Sequence, residues 1–359
     1  MTTTPAEPTI DDYLRKRLRP VEGAIPQLPG IDMYGNSIPA GSVGGDLFEY
    51  LNFQQLFNID ARISQANKLS KQYLEPLPKG APPRNAVDEH VRWLQSKAGY
   101  SAADAAAYRK AKSSEQLRVA ENLQELYTTA GVLLVDAQGH GIIGAKIAST
   151  VHDTFHAFML SELDRNGRPT TDLFERLNLR LAQSVTARNA LGWKDDSSRE
   201  IATLLYGEIR PGGHFRFVNF GHPPPLVFSA KYGKFMEVCK ERMVQFLALG
   251  LEIPEDHPDR NKYFSMKLRK RQIDSSDVAE ITLMGQGDIL FLYTDGVYDG
   301  SDEQDRGQIE EIIGQHKDHS AKEICNAVLD YALKQDEHLR QIDQPDVIDD
   351  KTVFIIKSG

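Results

Sequence analysis

Apolar runs of strand length and helical apolar repeats alternate along much of the chain, which indicates a mixed fold. Residues 132–135 form an apolar run typical of a buried strand. After a turn that contains Asp136 and two glycines, an apolar repeat over residues 143–155 predicts a helix that continues to about Leu163. An acidic side chain therefore lies where a buried strand ends and a helix begins.

The stretch at residues 54–127 has a purely helical pattern. Apolar residues recur at helical spacing over residues 56–69 and 87–98, and a capping-box-like start predicts a third helix over residues 101–126. We expect a helical insertion into the domain at about residues 54–128. A helical layer that belongs to the core itself is the alternative, and the residues alone leave both open.

Three pairs of strand-like runs are each joined by a short turn that contains glycine, and we expect each pair to form a hairpin. The pairs are residues 201–208 with 214–220, 226–228 with 234–238, and 281–284 with 289–294. Helical repeats near residues 308–315 and 321–333 precede a closing strand at 353–356. Hairpin-linked strands with helices grouped apart predict an α+β fold with antiparallel sheets and outer helices.

Composition sets the number of domains. A chain of 359 residues with 40% hydrophobic content can bury one large core, with or without a modest subdomain. We expect residues 1–27 to be a short helix and linker before a domain at residues 28–359, because the helical pattern at residues 11–18 is too short to fold alone. The sequence has no membrane-spanning apolar run and no secretory signal, so the prediction is a cytoplasmic protein without membrane association.

Charge and cysteine usage exclude other classes. The formal net charge of −9 opposes nucleic-acid binding, and the basic run at residues 267–271 is more typical of a solvated strand or loop. Cys239 and Cys325 lie far apart and form no CxxC pair, which favours a reducing compartment and argues against a structural zinc site.

Four acids stand at the ends of predicted strands: Asp46, Asp136, Asp295 and Asp349. Taken alone, Asp136 is slightly better explained as an ordinary helix cap in a tight turn, and Asp46 fits a glycine-rich turn between strands. If the strand ends meet at one rim, the carboxylates form an all-oxygen cluster that suits Mg²⁺ or Mn²⁺. Their mutual repulsion would require cations, and two cations bridged by one carboxylate can lower the pKa of a shared water and hold a phosphoryl group. Phosphoester hydrolysis is the predicted reaction class.

The same acids belong to a set of motifs in a defined order. The motifs are Gly44-Gly45-Asp46, Asp136-x-x-Gly139-His140-Gly141, Asn219-x-Gly221-His222-Pro223-Pro224, Leu292-Tyr293-Thr294-Asp295-Gly296 and Asp349-Asp350-x-Thr352. This set resembles the SpoIIE/RsbU branch of the PPM metal-dependent protein serine/threonine phosphatases, from about residue 28 to the C-terminus. The resemblance implies a four-layer sandwich of two central antiparallel β-sheets flanked by α-helices, interrupted here by the helical insertion.

The resemblance also implies the roles of the acids. Asp136 would bridge two Mn²⁺ or Mg²⁺ ions, and Ala137 would offer its backbone carbonyl to the second. Asp46 would hold the second ion directly or through water, whereas Asp295 and Asp349 would hold the first. The implied reaction is attack of the cation-activated water on phosphoserine or phosphothreonine.

Three further residues of the motifs have secondary roles. His140 would steady the phosphate or donate a proton, although a histidine that only hydrogen-bonds the turn fits equally well. For His222 we expect a structural role in a rigid, proline-flanked loop. Asp350 is expected to support the loop beside the site.

The implied partner is a phosphorylated regulatory protein, such as an anti-sigma-factor antagonist, and a homodimer is a further expectation. The insertion would regulate the enzyme or mediate that dimer, and a passive helical addition that packs on one sheet is the alternative. The alternative is a catalytically weak or inactive module that keeps the fold and binds a phosphoprotein. Intact acids count against this alternative, because a module without chemistry has no reason to keep carboxylates that repel one another.

Overall fold

The computed structural model describes residues 25–78, 80–139, 141–190, 200–238, 243, 245–251, 278–283, 285–300 and 302–359. Some predicted features lie outside these residues: the helix at residues 11–18, His140, Cys239, the basic run at residues 267–271, and Met284 at the end of a predicted strand.

The described strands form two five-stranded sheets in which all neighbours are antiparallel. In chain order the strands are β1 (Ile31–Ile38), β2 (Asp46–Leu51), β3 (Ala130–Ala137), β4 (Ala202–Arg210), β5 (His214–Phe220), β6 (Leu226–Ser229), β7 (Lys234–Met236), β8 (Ala279–Thr282), β9 (Ile289–Tyr293) and β10 (Lys351–Ser358). The first sheet has the order β1-β10-β9-β6-β7, and the second has the order β2-β3-β4-β5-β8.

Eight α-helices are described. They are α1 (Phe53–Phe57), α2 (Ile59–Leu74), α3 (Ala86–Lys97), α4 (Ala102–Glu125), α5 (Gly141–Asn166), α6 (Thr171–Ala190), α7 (Glu303–His316) and α8 (Ala321–Gln341). Short 3-10 helices occur at Leu126–Thr128 and Pro345–Val347. None of these described helices combines the length and the apolar character that a bilayer span requires.

The two sheets pack face to face over an apolar core, because alternate residues of each strand point to the same side. Phe48 and Tyr50 of β2 lie in this core together with Phe354 and Ile356 of β10. The rings of Phe48 and Phe354 meet edge to face, with centroids 6.0 Å apart. Burial of these large side chains between the sheets fixes which face of each strand turns inward.

The outer faces of both sheets are covered by helices. Ile313 of α7 and Val328 of α8 form one buried cluster with Ile355 of the first sheet. On the second sheet, the ring of Tyr206 lies 5.6 Å from Phe155 of α5 and 5.3 Å from Phe174 of α6. The resulting order is helix, sheet, sheet, helix, which confirms the predicted α+β sandwich of two antiparallel sheets flanked by helices.

Two of the three predicted hairpins are confirmed. Strands β4 and β5 pair directly, and so do β6 and β7. The third prediction is wrong: β8 pairs with β5 in the second sheet, whereas β9 lies between β10 and β6 in the first. The turn between β8 and β9 therefore carries the chain from one sheet to the other.

This crossing is stabilised by Asp288, a buried residue of the turn. One carboxylate oxygen of Asp288 accepts the N–H of Gly285 at 2.7 Å, and the other accepts the N–H of Ala230 at 3.0 Å. The side chain thereby fastens the turn to the β6 end of the first sheet. A glycine-rich turn between two apolar runs looks the same in sequence whether the second run pairs with the first or joins the facing sheet.

The helical stretch belongs to a second compact unit, which consists of Phe53–Tyr127 and Ala157–Leu173. The first predicted helix of this stretch is divided at Asn58, whose left-handed backbone (φ 47°) ends α1 and whose side chain caps α2. Asparagine tolerates this conformation better than most residues because its short polar side chain can bond locally.

Candidate metal centre

Strands β2 and β3 place two acids directly opposite each other. Asp46 and Asp136 are paired in the antiparallel register, at the start of β2 and near the end of β3. Asp46 is buried with 8% exposure, and Asp136 is partly buried. Like charges placed opposite one another destabilise a sheet, so this pair needs a compensating positive charge.

The first sheet contributes the other two acids. Asp295 follows β9 and Asp349 precedes β10, and these two strands are paired through Tyr293 and Val353. Both side chains are exposed. Asp295 and Asp349 lie close enough to Asp136 for their charges to raise its pKa. The rim of the sandwich therefore brings the four predicted acids together, while their role as ligands stays a prediction.

The electrostatics of the cluster are those of carboxylates that lack a counter-charge. Burial, followed by the charges of Asp295 and Asp349, raises the pKa of Asp136 to about 7. Burial and the charge of Asp136 raise the pKa of Asp46 well above its ordinary value. Surrounding protein atoms keep water from the carboxylate of Asp295, and this loss of solvation, followed by the charge of Asp349, raises the pKa of Asp295. A bound divalent cation would reverse these effects, because it favours the ionised form of every carboxylate beside it.

Two threonines orient Asp46, and neither was predicted to have a role. The hydroxyls of Thr294 and Thr352 each donate to Oδ2 of Asp46 at 2.7 Å. The hydroxyl oxygen of Thr294 also accepts the backbone N–H of Thr352 at 2.9 Å, so the two donors hold each other in place. The signal was present in the motifs, where each threonine stands within three residues of a predicted ligand.

Asp350 ties the loop before β2 to the start of β10. Its Oδ1 accepts the N–H of Ala40 at 2.7 Å, and its Oδ2 accepts the N–H of Gly45 at 2.6 Å. A Cβ on Gly44 would lie 2.5 Å from this carboxyl group, so only glycine allows the close approach. The predicted support of the loop by Asp350 is confirmed.

A buried ion pair lies behind Asp349. The ammonium group of Lys351 is 2.7 Å from a carboxylate oxygen of Asp336 on α8, and both side chains are less than a tenth exposed. The same group donates to the backbone carbonyl of Asp349 at 2.9 Å. Helix α8 therefore fixes the backbone that presents Asp349.

Ala137 and His222 complete the described part of the predicted site. Ala137 is buried, and its carbonyl oxygen would lie 2.8 Å from a Cβ on Gly45, which shows how tightly β2 and β3 approach here. His222 is fully buried, and its Nδ1 lies 2.8 Å from the hydroxyl of Thr203, the residue paired with Asp136. Burial lowers the pKa of His222 to about 3. A neutral, buried imidazole in a packed turn is what a structural role requires, and that role stays a prediction.

The chemistry of the donor set fits hard divalent cations. The candidate ligands are carboxylate oxygens and one backbone carbonyl, which match the preference of Mg²⁺ and Mn²⁺ for oxygen. The pKa values of Asp46, Asp136 and Asp295 are all raised in the protein alone. The cluster thus has a surplus of negative charge that cations would neutralise.

A four-layer α+β domain with acids gathered at its strand ends is the arrangement expected of a PPM-type phosphatase domain. The family model described as Stage II sporulation protein E (SpoIIE) matches residues 128–358. The chain belongs to this family, the SpoIIE/RsbU branch of the PPM metal-dependent protein phosphatases.

Individual relatives are distant. The chain is 24% identical over 231 residues to phosphoserine phosphatase RsbU of Bacillus subtilis (strain 168), which covers 63% of this chain and 55% of RsbU. The chain thus spans about half the length of that relative.

Solved structures with a similar fold include two phosphatase domains. The PP2C domain of SpoIIE from Bacillus subtilis, with a fragment of its regulatory domain, is 12% identical with a TM-score of 0.48 and covers 92% of this chain and 64% of its own. The SiaA-PP2C domain of Pseudomonas aeruginosa is also 12% identical with a TM-score of 0.48, and it covers 97% of this chain and 95% of its own.

Proposed function

We propose that this chain is a metal-dependent protein phosphatase that hydrolyses phosphoserine or phosphothreonine. The observation that carries the proposal is the convergence of Asp46, Asp136, Asp295 and Asp349 at one rim, where loss of solvation and then neighbouring charges raise the pKa of three of them. Membership of the SpoIIE family supports this reading of the cluster.

In this proposal two Mn²⁺ or Mg²⁺ ions are held by the acids of both sheets. Asp136 would be shared between the ions, Asp295 and Asp349 would hold one of them, and Asp46 with the carbonyl of Ala137 would hold the other. When bound, the two ions would lower the pKa of a water molecule and offset the negative charge of the phosphoryl group.

The residues around the acids fix the geometry before substrate arrives. Thr294 and Thr352 both donate to the same oxygen of Asp46, Oδ2, and neither hydroxyl contacts the second oxygen. Asp350 keeps the loop before β2 in place through two backbone N–H groups. Such preorganisation matters because a displacement near 1 Å can cost on the order of a hundredfold in rate.

His140 is the proposed proton donor or phosphate contact, and it lies outside the described residues. Its motif places it four positions after Asp136 in the sequence. An imidazole side chain can gain or lose a proton near neutral pH, so it is suited to proton transfer there.

The proposed substrate is a phosphorylated regulatory protein. The name of the similar Bacillus subtilis protein, phosphoserine phosphatase RsbU, supports a phosphoserine substrate. We further propose that the protein acts in the cytoplasm and forms a homodimer, as the sequence led us to expect.

Hydrolysis of p-nitrophenyl phosphate after exhaustive chelation tests the proposal. We expect no turnover in EDTA, recovery with Mn²⁺ or Mg²⁺ but not with Zn²⁺, and a loss of at least roughly a hundredfold in the variant Asp295→Asn. Asp330→Asn, a change at an exposed carboxylate of α8, is the matched control and keeps full activity. Binding of a phosphopeptide without turnover, under any of these metals, would instead identify a binding module.

A further inference from the structure

Outside the carboxylate cluster, one strand and one helix bring an acid and two histidines together. Glu49 lies on β2, and His152 and His156 lie one helical turn apart on α5. The Nε2 atoms of His152 and His156 are 3.4 Å and 2.7 Å from the same oxygen, Oε2 of Glu49. One ligand atom of each residue lies within 4.8 Å of the others.

This group is distinct from the centre that contains Asp46. Successive residues of a strand point to opposite faces, so Asp46 shares its face with Phe48 and Tyr50, which lie between the sheets. Glu49 points to the other face of β2, which α5 covers. The three positions that separate Asp46 and Glu49 correspond to about 10 Å along the strand.

The donor set differs from that of the carboxylate cluster in a way that selects another metal. Two imidazole nitrogens with one carboxylate oxygen are the ligands typical of Zn²⁺ and similar transition metals, whereas Mg²⁺ prefers oxygen alone. Two histidines at positions i and i+4 present both rings on one side of a helix. The ring centroids of His152 and His156 are 4.5 Å apart, and the Nε2 atoms of both rings lie against the same oxygen of Glu49.

We propose that Glu49, His152 and His156 form a second metal site, which binds one Zn²⁺ ion or a similar borderline transition-metal ion. Ligands about 2.1 Å from a tetrahedral zinc ion lie roughly 3.4 Å from one another. The distance between His152 and Glu49 is already 3.4 Å, and that between His156 and Glu49 is 2.7 Å. The ligand atoms of all three residues lie within 4.8 Å of one another. Changes of about 1 Å in these distances would form the cage, and side-chain rotation can supply them.

The side chains are also accessible enough to exchange an ion. Glu49 is 17% exposed, and the histidines are 21% and 22% exposed. A solvent molecule can therefore complete the coordination. The role of the ion would be to fasten α5 to β2, the strand that also carries Asp46.

Without a metal the same residues form a charged hydrogen-bonded group. Burial alone would raise the pKa of Glu49, but the two histidines outweigh it and lower that pKa to about 2. Burial alone would lower the pKa of His152, but the contact with Glu49 raises it. An ion pair of this kind is the competing account, and metal stoichiometry separates the two.

The test is a Zn²⁺ titration of the full chain. Chelator-treated protein is saturated with Mg²⁺ to fill the carboxylate cluster and is then titrated with Zn²⁺ in competition with a chromophoric chelator. We expect one additional Zn²⁺ to bind per chain. Each of Glu49→Gln, His152→Gln and His156→Gln should weaken that binding by at least about a hundredfold, because loss of a ligand costs more than loss of an outer partner.

Two controls locate the ion. His338→Gln changes an exposed histidine of α8 and should leave the additional Zn²⁺ in place. Asp136→Asn removes the proposed bridge of the carboxylate cluster and should also leave it in place, so the result does not depend on phosphatase activity. Co²⁺ substitution gives a second readout, since a tetrahedral visible absorption band should appear in the wild type and vanish in His156→Gln.

Two results would overturn the proposal. If every Zn²⁺ ion that the wild type binds is lost in Asp136→Asn, then Glu49, His152 and His156 form an ion pair only. If all three glutamine variants, checked for unchanged thermal unfolding in Mg²⁺, bind Zn²⁺ as tightly as the wild type, the ion lies elsewhere.

Discussion

At the scale of single residues, Asp136 has the environment that most needs a cation. Its partner across the strands is Asp46, and the charges of Asp295 and Asp349 act on it from the other sheet. A carboxylate in this position keeps its proton to a higher pH in the folded protein than in the unfolded chain, as long as no metal is bound. Its charge therefore destabilises the fold without metal and would stabilise the metal-bound fold.

The pH dependence of the metal-free protein follows from this difference. The pKa of Asp136 is about 7 in the folded state and near its ordinary value of 3.8 when unfolded. Between these values the folded state binds more protons, so this group lowers the free energy of unfolding as pH rises from about 4 to about 7. In EDTA at pH 8, Asp136→Asn should be more stable than the wild type by at most about 4 kcal/mol, since each pKa unit corresponds to about 1.4 kcal/mol.

Urea unfolding of both proteins in EDTA, at pH 5 and pH 8, measures this effect. Asp330→Asn is the control, because its exposed carboxylate should change stability little at either pH. A stabilisation that is equal at both pH values, or absent at pH 8, would contradict the assigned repulsion.

Thr352 gives a second prediction at this scale. Its hydroxyl contacts both Asp46 and the hydroxyl of Ser37, whereas its backbone N–H bonds Thr294. Thr352→Val therefore removes the two hydroxyl contacts, keeps the backbone contact and keeps the shape of the side chain. We expect the affinity for Mn²⁺ to fall about 10-fold to 100-fold, because outer contacts of this kind orient ligands. The measurement is activity as a function of Mn²⁺ concentration.

The matched control for that change is Thr282→Val on β8, where the hydroxyl lies 3.2 Å from the Nδ1 of His214. It should leave the Mn²⁺ dependence unchanged. An equal fall in Mn²⁺ affinity in both variants would mean that the effect comes from general destabilisation.

At the scale of elements, α8 supports the strand that follows Asp349. The pair formed by Lys351 and Asp336 is buried, so removal of one partner leaves an uncompensated charge. We expect Asp336→Ala and Lys351→Met each to lower the free energy of unfolding by about 3–5 kcal/mol. The double variant should lose much less than the sum of these values, and a double-mutant cycle in urea measures the coupling.

An exposed pair provides the comparison. Lys112 and Glu115 of α4 are also 2.7 Å apart, but their side chains are 35% and 44% exposed. Lys112→Met should cost less than about 1 kcal/mol, since water screens such a pair. Equal losses at Lys112 and Lys351 would show that burial of the second pair does not matter.

The strands and helices could be predicted from local sequence signals, whereas the pairing of the strands could not. Residues 132–135 are recognisable as a strand because the apolar run is local, and the acid at its end is visible with it. The pairing of β8 with β5 depends on which sheet accepts each strand, and the turn at residues 285–288 contains no local sign of that choice. The break at Asn58 was missed because the apolar repeat continues through it.

The candidate site could also be predicted only in part from the sequence. The acids at strand ends could be predicted because each stands beside a local landmark. The hydrogen bonds from Thr294 and Thr352 to Asp46 join residues 248 and 306 positions apart, so only the folded chain reveals them. The spacing of His152 and His156 was a readable signal, but their acid lies about a hundred residues earlier, on a face of β2 that the sequence alone leaves undefined.

At the scale of the whole molecule, the sandwich and the helical unit differ in whether they contain candidate metal ligands. All the described candidate ligands lie in the unit that contains the sheets, whereas the second unit consists of helices only. The stretch at residues 53–127 leaves the second sheet after Leu51 and returns before Gly131, and these two residues are paired. A short turn can therefore join the two strands without a change of register.

We propose that this helical stretch regulates the enzyme or mediates its dimer, because both of its anchors are strands that carry proposed ligands. The decisive variant replaces residues 53–128 with a glycine-containing turn. Leu163 of α5 is fully buried and borders a cavity with Val119 and Leu123 of α4, so the trimmed chain also carries Leu163→Lys to keep it soluble.

We expect the trimmed protein to retain the far-ultraviolet circular dichroism signal of the sheets. It should differ from the full chain in at least one of three properties: turnover, by at least about fivefold, Mn²⁺ affinity, or oligomeric state. The reason is that small shifts of metal ligands change rates strongly. The trimmed chain with Leu163 unchanged is the control for the added charge, because a lysine at this buried position of the full chain would itself be destabilising. Sedimentation and metal-dependent hydrolysis measure the three properties. A trimmed protein that matches the full chain in all of them would show the helices to be a passive addition, because removal of a regulatory or dimerising element cannot leave rate, metal binding and assembly unchanged.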